Sequence, residues 1–98
     1  MYKAFILPLA KQDISDAVTW YESKQKGLGK LFVEEIRSKV LFIRNNPKTT
    51  TIKYDDIRCA ILDVFPFMVH YTIDELQKTI IVVAVFHTSL NPERWRKR

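Results

Sequence analysis

Seven residues near the C-terminus, Ile80-Ile81-Val82-Val83-Ala84-Val85-Phe86, form the longest uninterrupted apolar run in the chain. A run this short and this rich in β-branched side chains reads as a strand, and the lack of alternation predicts burial on both faces. Such a strand belongs in the interior of a sheet. The rest of the chain must therefore supply partner strands and a layer to cover them.

The residues before it provide the partners. Phe67, Val69, Tyr71 and Ile73 alternate with Met68, His70, Thr72 and Asp74, and the polar string Asp74-Glu75-Leu76-Gln77 reads as the hairpin turn into the final strand. Upstream, Ile57, Cys59 and Ile61 alternate with Arg58, Ala60 and Leu62, and Pro66 stops that strand near Phe65. Thr49-Thr50-Thr51-Ile52 is β-prone but short, an edge strand at best.

Before Pro47 the period is that of a helix. Ala10, Ile14, Ala17, Val18 and Tyr21 share one helical face, with Pro8 at the first turn and an end near Gln25. Leu31, Phe32, Ile36, Val40 and Ile43 share another face, which stops at Asn45-Asn46-Pro47. Gly27 and Gly29 are the only glycines and sit where one helix must reverse into the next. Glu35 and Lys39 stand four apart and are expected to pair on the polar side. Tyr2 to Leu7 is a short apolar strand ended by Pro8. The order is β-α-α-β-β-β-β, an α+β fold with an antiparallel sheet and a two-helix hairpin packed on one face.

Ninety-eight residues, 47% of them hydrophobic, make one domain, residues 1–98, with a basic tail over 88–98. Sixteen Lys and Arg against eleven Asp and Glu give a net charge of +5, which suits a nucleic-acid, ribosomal or acidic protein partner. Cys59 is the only cysteine, so no internal disulfide forms and a reducing compartment is expected. The N-terminal residues lack a small-residue cleavage site, and no apolar run approaches the roughly 20 residues that span a bilayer. A soluble, cytoplasmic protein without membrane contact is expected.

Several strings together resemble the RelE/ParE superfamily of bacterial toxins from type II toxin–antitoxin (plasmid stabilization) modules. They are LPLAKQDISDAVTWY after the first strand, GLGKLFVEEI opening the second helix, Asn46-Pro47, Arg58, Phe65-Pro66-Phe67 with Tyr71, and the closing VVAVFHTSLNPERWRKR. The pattern is nearer the ParE-like branch than the ribonucleolytic RelE branch. The resemblance implies a growth-inhibiting toxin neutralised by a cognate antitoxin, whose tail folds on binding. It also implies DNA gyrase as the target for a ParE-like chain, or mRNA in the ribosomal A site for a RelE-like one. A degenerate, non-toxic member is the remaining alternative.

The residue types that carry chemistry are few. His70 and His87 are the only histidines, with no metal-ligand spacing around them, and no cofactor is implied. Cys59, within a strand, reads as core. A metal-free ribonuclease needs a phosphate clamp and a proton-transfer group; Arg58 and His87 match family positions that would serve. The plainer alternatives pair Arg58 with Asp63 or Asp74 and leave His87 bonding backbone at a strand end. Leu90 stands where relatives commonly carry arginine, which weakens both the nuclease reading and the transfer of the gyrase reading and keeps the non-toxic alternative open. The expected target- or partner-binding set is Arg58, His87, Arg94, Trp95 and Arg96, against the alternative in which Trp95 folds back onto the helices while the tail's basic residues solvate the terminus; Lys53 either adds a cation from the second strand or is simply solvated. Trp20 and Tyr21 read as helix packing. Leu41 and Phe42 widen the apolar face of the second helix, to be covered by an antitoxin or by a second copy in a homodimer.

Overall fold

In the computed structural model, which describes residues 1–97, the apolar run lies within strand β5 (Thr79–His87). β5 is interior. It lies between β1 (Lys3–Ile6), which runs parallel to it, and β4 (Phe67–Asp74), which runs antiparallel. β3 (Ile57–Ile61) and β2 (Ile52–Tyr54) complete the sheet in the order β1-β5-β4-β3-β2. The meander from β2 to β5 is antiparallel, as short connections require. β1 makes the sheet mixed. It reaches β5 only after the chain has passed through both helices, so no hairpin dictates its direction.

Continuous apolarity in β5 has a specific cause. Tyr71 pairs with Val82 while His70 pairs with Ala84, which leaves Val83 as an extra residue on β5. The bulge switches the parity of the strand. Ile80, Val82 and Val85 join the main core, whereas Phe86 meets His70 on the opposite face.

The helical layer is α1 (Pro8–Lys24) and α2 (Leu28–Asn45). Ala10, Ala17, Phe32, Ile36 and Ile43 are buried, with Ile14, Val18, Tyr21 and Val40 packed beside them, against Ala60, Leu62, Val69, Tyr71, Ile80 and Val82. Rings of Tyr21, Phe32, Phe65 and Phe67 form a cluster with centroids 4.7–6.1 Å apart, each pair worth about 0.5–1.5 kcal/mol beyond its burial. Leu31 departs from the expected helical face and is exposed, lining an open groove between α2 and the loop of residues 63–66 instead of the core.

The reversal between the helices rests on Gly27, with φ of +91°, and on Glu22. The Glu22 carboxylate accepts the N–H groups of Gly27 (3.0 Å) and Gly29 (3.0 Å), satisfying donors that open α2. Those bonds hold its pKa below the ordinary carboxylate value. Among the described residues, no helix is long and apolar enough to cross a membrane.

Two local expectations are corrected. Glu35 and Lys39 do not pair. Glu35 instead accepts the backbone N–H groups of Asp63, Val64 and Phe65 at 2.9–3.2 Å, and Lys39 pairs with Asp63 at 3.5 Å. Three converging amides outcompete one ammonium for a carboxylate. The edge strand also begins later than the threonine run, at Ile52, because Thr50 is drawn into the hydrogen-bond cluster described next.

Candidate functional site

Arg58 lies second in β3, opposite Tyr71 of β4. Alternation places it on the helix-facing side, near the β2 edge. It is half-buried and pairs with neither Asp63 nor Asp74; its Nη1 donates to the carbonyl of Thr50. Beside it, the buried Tyr71 hydroxyl donates to Pro47 O at 2.8 Å and shares a 2.7 Å hydrogen bond with Thr50 Oγ1. Burial raises the Tyr71 pKa, against the Thr50 hydrogen bond and the Arg58 charge, which lower it. Arg58 and Tyr71 thus pin the loop between α2 and β2. Arg58 also lines a small depression of about 220 Å³ together with Lys48, Ile52, Asp56, Thr72, Ile73 and Glu75.

His87 closes β5 at the other end of the sheet, opposite Phe67, whose ring lies 5.1 Å away. Its Nδ1 accepts the Ser89 N–H at 3.0 Å and lies 2.7 Å from Ser89 Oγ. With Nδ1 accepting, the proton of the neutral ring belongs on Nε2, inferred here from the network. The exposed His87 can therefore present an N–H donor to a partner, while its acceptor nitrogen is already engaged within the chain.

Arg58 and His87 are not neighbours. Their partners on β4, Tyr71 and Phe67, stand four residues apart, about 13 Å along a strand. The two side chains also stand two strands apart across the sheet. In this structure the guanidinium of Arg58 is turned to the Thr50 carbonyl and the His87 ring to Ser89, so the two side chains are held at different ends of the sheet.

The C-terminal tail is built into the fold rather than free. Pro92–Lys97 forms a 3-10 helix. Trp95 packs on the sheet face opposite the helices, with its ring 4.8 Å from His70 and 5.2 Å from Tyr54. The expectation that it would fold back onto the helices, if it folded back at all, is thereby corrected: the helical face is already filled by the aromatic cluster. Arg96 donates to Asp55 (3.2 Å to Oδ2) and lies over the Tyr54 ring. Arg94 is exposed. Arg98 of the basic tail lies outside the described residues. Leu90 is half-buried in the turn after β5, where its N–H bonds the His87 carbonyl.

Beneath Trp95 sits a polar cluster that periodicity alone did not mark. His70 is buried, with Nδ1 2.9 Å from Tyr54 Oη and 3.5 Å from Cys59 Sγ. The signal was present, since β3 and β4 alternation places Cys59 directly opposite His70. Burial pushes the Cys59 thiol up to about 11, with the charge of Lys53 opposing, so the thiol is protonated and inert at neutral pH. Among the described residues, no three His, Cys, Asp or Glu side chains converge as a metal site.

The expected contact residues therefore fall into three places: Arg58 at the β2–β3 edge, His87 at the far end of β5, and Trp95 with Arg96 on the second face. Comparison with known proteins puts them in context. Solved structures share this fold, among them the following three. A chain of the chromosomal ParDE toxin–antitoxin system from P. aeruginosa superimposes with a TM-score of 0.79 at 15% identity, covering 91% of this chain and 98% of that one. A chain of the intact E. coli RelBE toxin–antitoxin complex gives 0.67 at 13% identity, with 89% and 96% covered. The isolated E. coli RelE toxin gives 0.67 at 12%, with 99% and 95% covered. No curated protein sequence matches significantly. Residues 5–92 match the family described as the ParE toxin of the type II toxin–antitoxin system parDE. With nearly the whole domain inside that match, the chain belongs to the ParE toxin family of type II toxin–antitoxin systems.

Proposed function

We propose that this ParE-family toxin arrests growth in the cytoplasm by binding a target protein such as DNA gyrase, and that a cognate antitoxin neutralises it. The observation that carries the choice of binding over bond cleavage is the separation of Arg58 from His87, with partners about 13 Å apart along β4. A metal-free ribonuclease needs its phosphate clamp and its proton-transfer group on one phosphodiester. Here those two groups serve separate surfaces. Leu90, at a commonly basic position, removes a further cation from the His87 end. Exposed Arg94, together with Arg96 beside it, offers guanidinium contacts to an acidic or phosphate-bearing partner.

The test is expression of the chain alone, scored for growth, for an SOS reporter and for mRNA 5′ ends. Arrest with SOS induction and intact message is the expected result. Codon-phased cuts in message would replace the binding reading with the ribosome-dependent endonuclease. Unimpeded growth would mark a non-toxic member of the family.

A further inference from the structure

The turn between α1 and α2 forms a tip that the rest of the fold leaves open. Residues 22–27 are all exposed, and a Cβ placed on Gly27 would meet nothing within 4 Å. The tip belongs to the helical layer, away from the tail, which packs on the other face of the sheet.

Trp20, expected to serve helix packing, is instead 56% exposed beside this tip. Its neighbour Tyr21 enters the core cluster through Phe32 and Phe65, and adjacent helical positions do not share a face. The indole is nevertheless held. It stands edge-to-face with Tyr21 at 5.1 Å, and the Lys24 ammonium lies 5.0 Å from its ring centroid. An exposed ring fixed beside a cation offers a nucleobase something to stack on and its phosphate a counter-charge.

Lysines gather at the same tip. Lys24, Lys26 and Lys30 are exposed, and among the described residues none of the three is ion-paired. The one acid between residues 20 and 30 is Glu22, whose carboxylate is turned to the amides of Gly27 and Gly29. Asp16, a turn before Trp20, is held by Gln12. With the Gly27 and Gly29 amides already taken, an anion reaching the tip meets lysine side chains. On a chain of net charge +5, such a cluster draws in polyanions.

Trp20 selects among them. An acidic peptide brings carboxylates but no flat ring for the indole. A duplex brings phosphates but keeps its bases stacked on one another. A single strand brings both, a base for the indole and a phosphate at each nucleotide for the lysines.

We propose that the tip of the helical hairpin binds single-stranded nucleic acid, one base stacking on Trp20 while neighbouring phosphates meet Lys24, Lys26 and Lys30. This activity goes beyond the growth-arrest reading and stands whether or not the chain is toxic.

The probe is fluorescein-labelled decathymidylate, titrated with the full chain and followed by anisotropy at about 50 to 200 mM salt. Three phosphate contacts should give a slope of log K against log salt of about −2, roughly −0.7 for each contact. Decauridylate should bind similarly, since stacking and phosphate charge are common to both. Trp20→Ala should weaken binding at least fivefold, the low end for one stacked base. Trp20→Phe keeps a ring and should hold affinity within about threefold of wild type, while the quenching of tryptophan emission on binding disappears. Replacing Lys24, Lys26 and Lys30 together by Gln should bring the salt slope close to zero. All these positions are exposed, so each variant should melt as the wild type does.

The tail supplies the control. Arg94→Gln with Lys97→Gln should leave binding within about twofold, since surface charge away from the tip adds only the non-specific attraction. Loss of binding in that variant with retention in Trp20→Ala would move the contact to the tail and overturn the proposal. Equal affinity for a duplex of the same length would remove the stacking step and overturn it too. A polyglutamate peptide bound as tightly as the oligonucleotide would make the tip a surface for acidic proteins instead. No binding of either oligonucleotide at the lowest salt would leave the tip without this function.

Discussion

Glu22 of α1 and Gly29 of α2 meet at 3.0 Å, carboxylate oxygen to backbone N–H, and this bond closes the helical hairpin where the two helices are nearest. A Cβ at position 29 would stand 3.0 Å from Val18 Cγ1 and 3.1 Å from the Val18 carbonyl. The carbonyl is backbone and cannot swing aside. Gly29→Ala should cost about 1–3 kcal/mol, the usual range for overpacking, measured by urea unfolding. Gly27→Ala enters open space and should cost about 1–2 kcal/mol through its left-handed backbone alone. A neutral Gly29→Ala would mean that the helices can separate without loss.

Alkaline stability should depend on Cys59. Its thiol, raised from 9.0 to about 11 in the fold, binds its proton more tightly folded than unfolded. That contribution is complete below pH 9 and is lost as pH rises toward 11. Tyr71, also raised by burial, acts in the same direction. Urea midpoints should hold level to about pH 8.5 and then fall. Cys59→Ala should flatten part of the fall, and at pH 8 iodoacetamide should modify Cys59 only as fast as the chain opens.

Arg58 and Tyr71 hold the same loop, which separates scaffold from contact. Arg58→Ala removes the donor to Thr50, and Tyr71→Phe removes the bonds to Pro47 and Thr50. Each should cost about 1–2 kcal/mol. If Arg58 meets the target, Arg58→Ala abolishes growth arrest while the equally destabilised Tyr71→Phe retains it. Equal loss of toxicity in both would confine Arg58 to holding the loop.

Trp95 should matter to folding and Arg94 should not. Truncating the half-buried indole over His70 and Tyr54 is expected to cost about 1–3 kcal/mol, below the value for a fully buried tryptophan. Near-UV circular dichroism should lose the tail's contribution. The exposed Arg94→Ala should stay within about 0.5 kcal/mol of wild type. A Trp95→Ala chain as stable as its parent would show that the tail leaves the sheet in solution.

Periodicity carried most of the architecture. The alternation of β4 and the bounds of both helices appear in the sequence almost residue for residue, because the side chains that set those patterns are the ones the core buries. Leu31 was misplaced because a helix face does not say whether core or an open groove lies against it. Glu35 was misassigned because its partners, the amides of 63–65, are backbone groups brought near only by tertiary structure. The same limit hid the site. Family position marks Arg58 and His87 separately, whereas the length of β4 decides that they stand apart. Trp95 announced itself by composition, but the face it covers followed from the filling of the other.

The position of β1 sets when this protein comes into being. The first strand synthesised has β5 as its neighbour, and Lys3 pairs with Thr79. At about 5–20 residues per second the wait between them lasts roughly 4–15 seconds. Pairing at so large a separation also slows folding after synthesis, since the loop between must close before any contact rewards it. A chain broken off before β5 leaves β1 without a partner and both helices with half a sheet. The complete five-stranded sheet is thus delivered late and all at once, when β5 enters between β1 and β4.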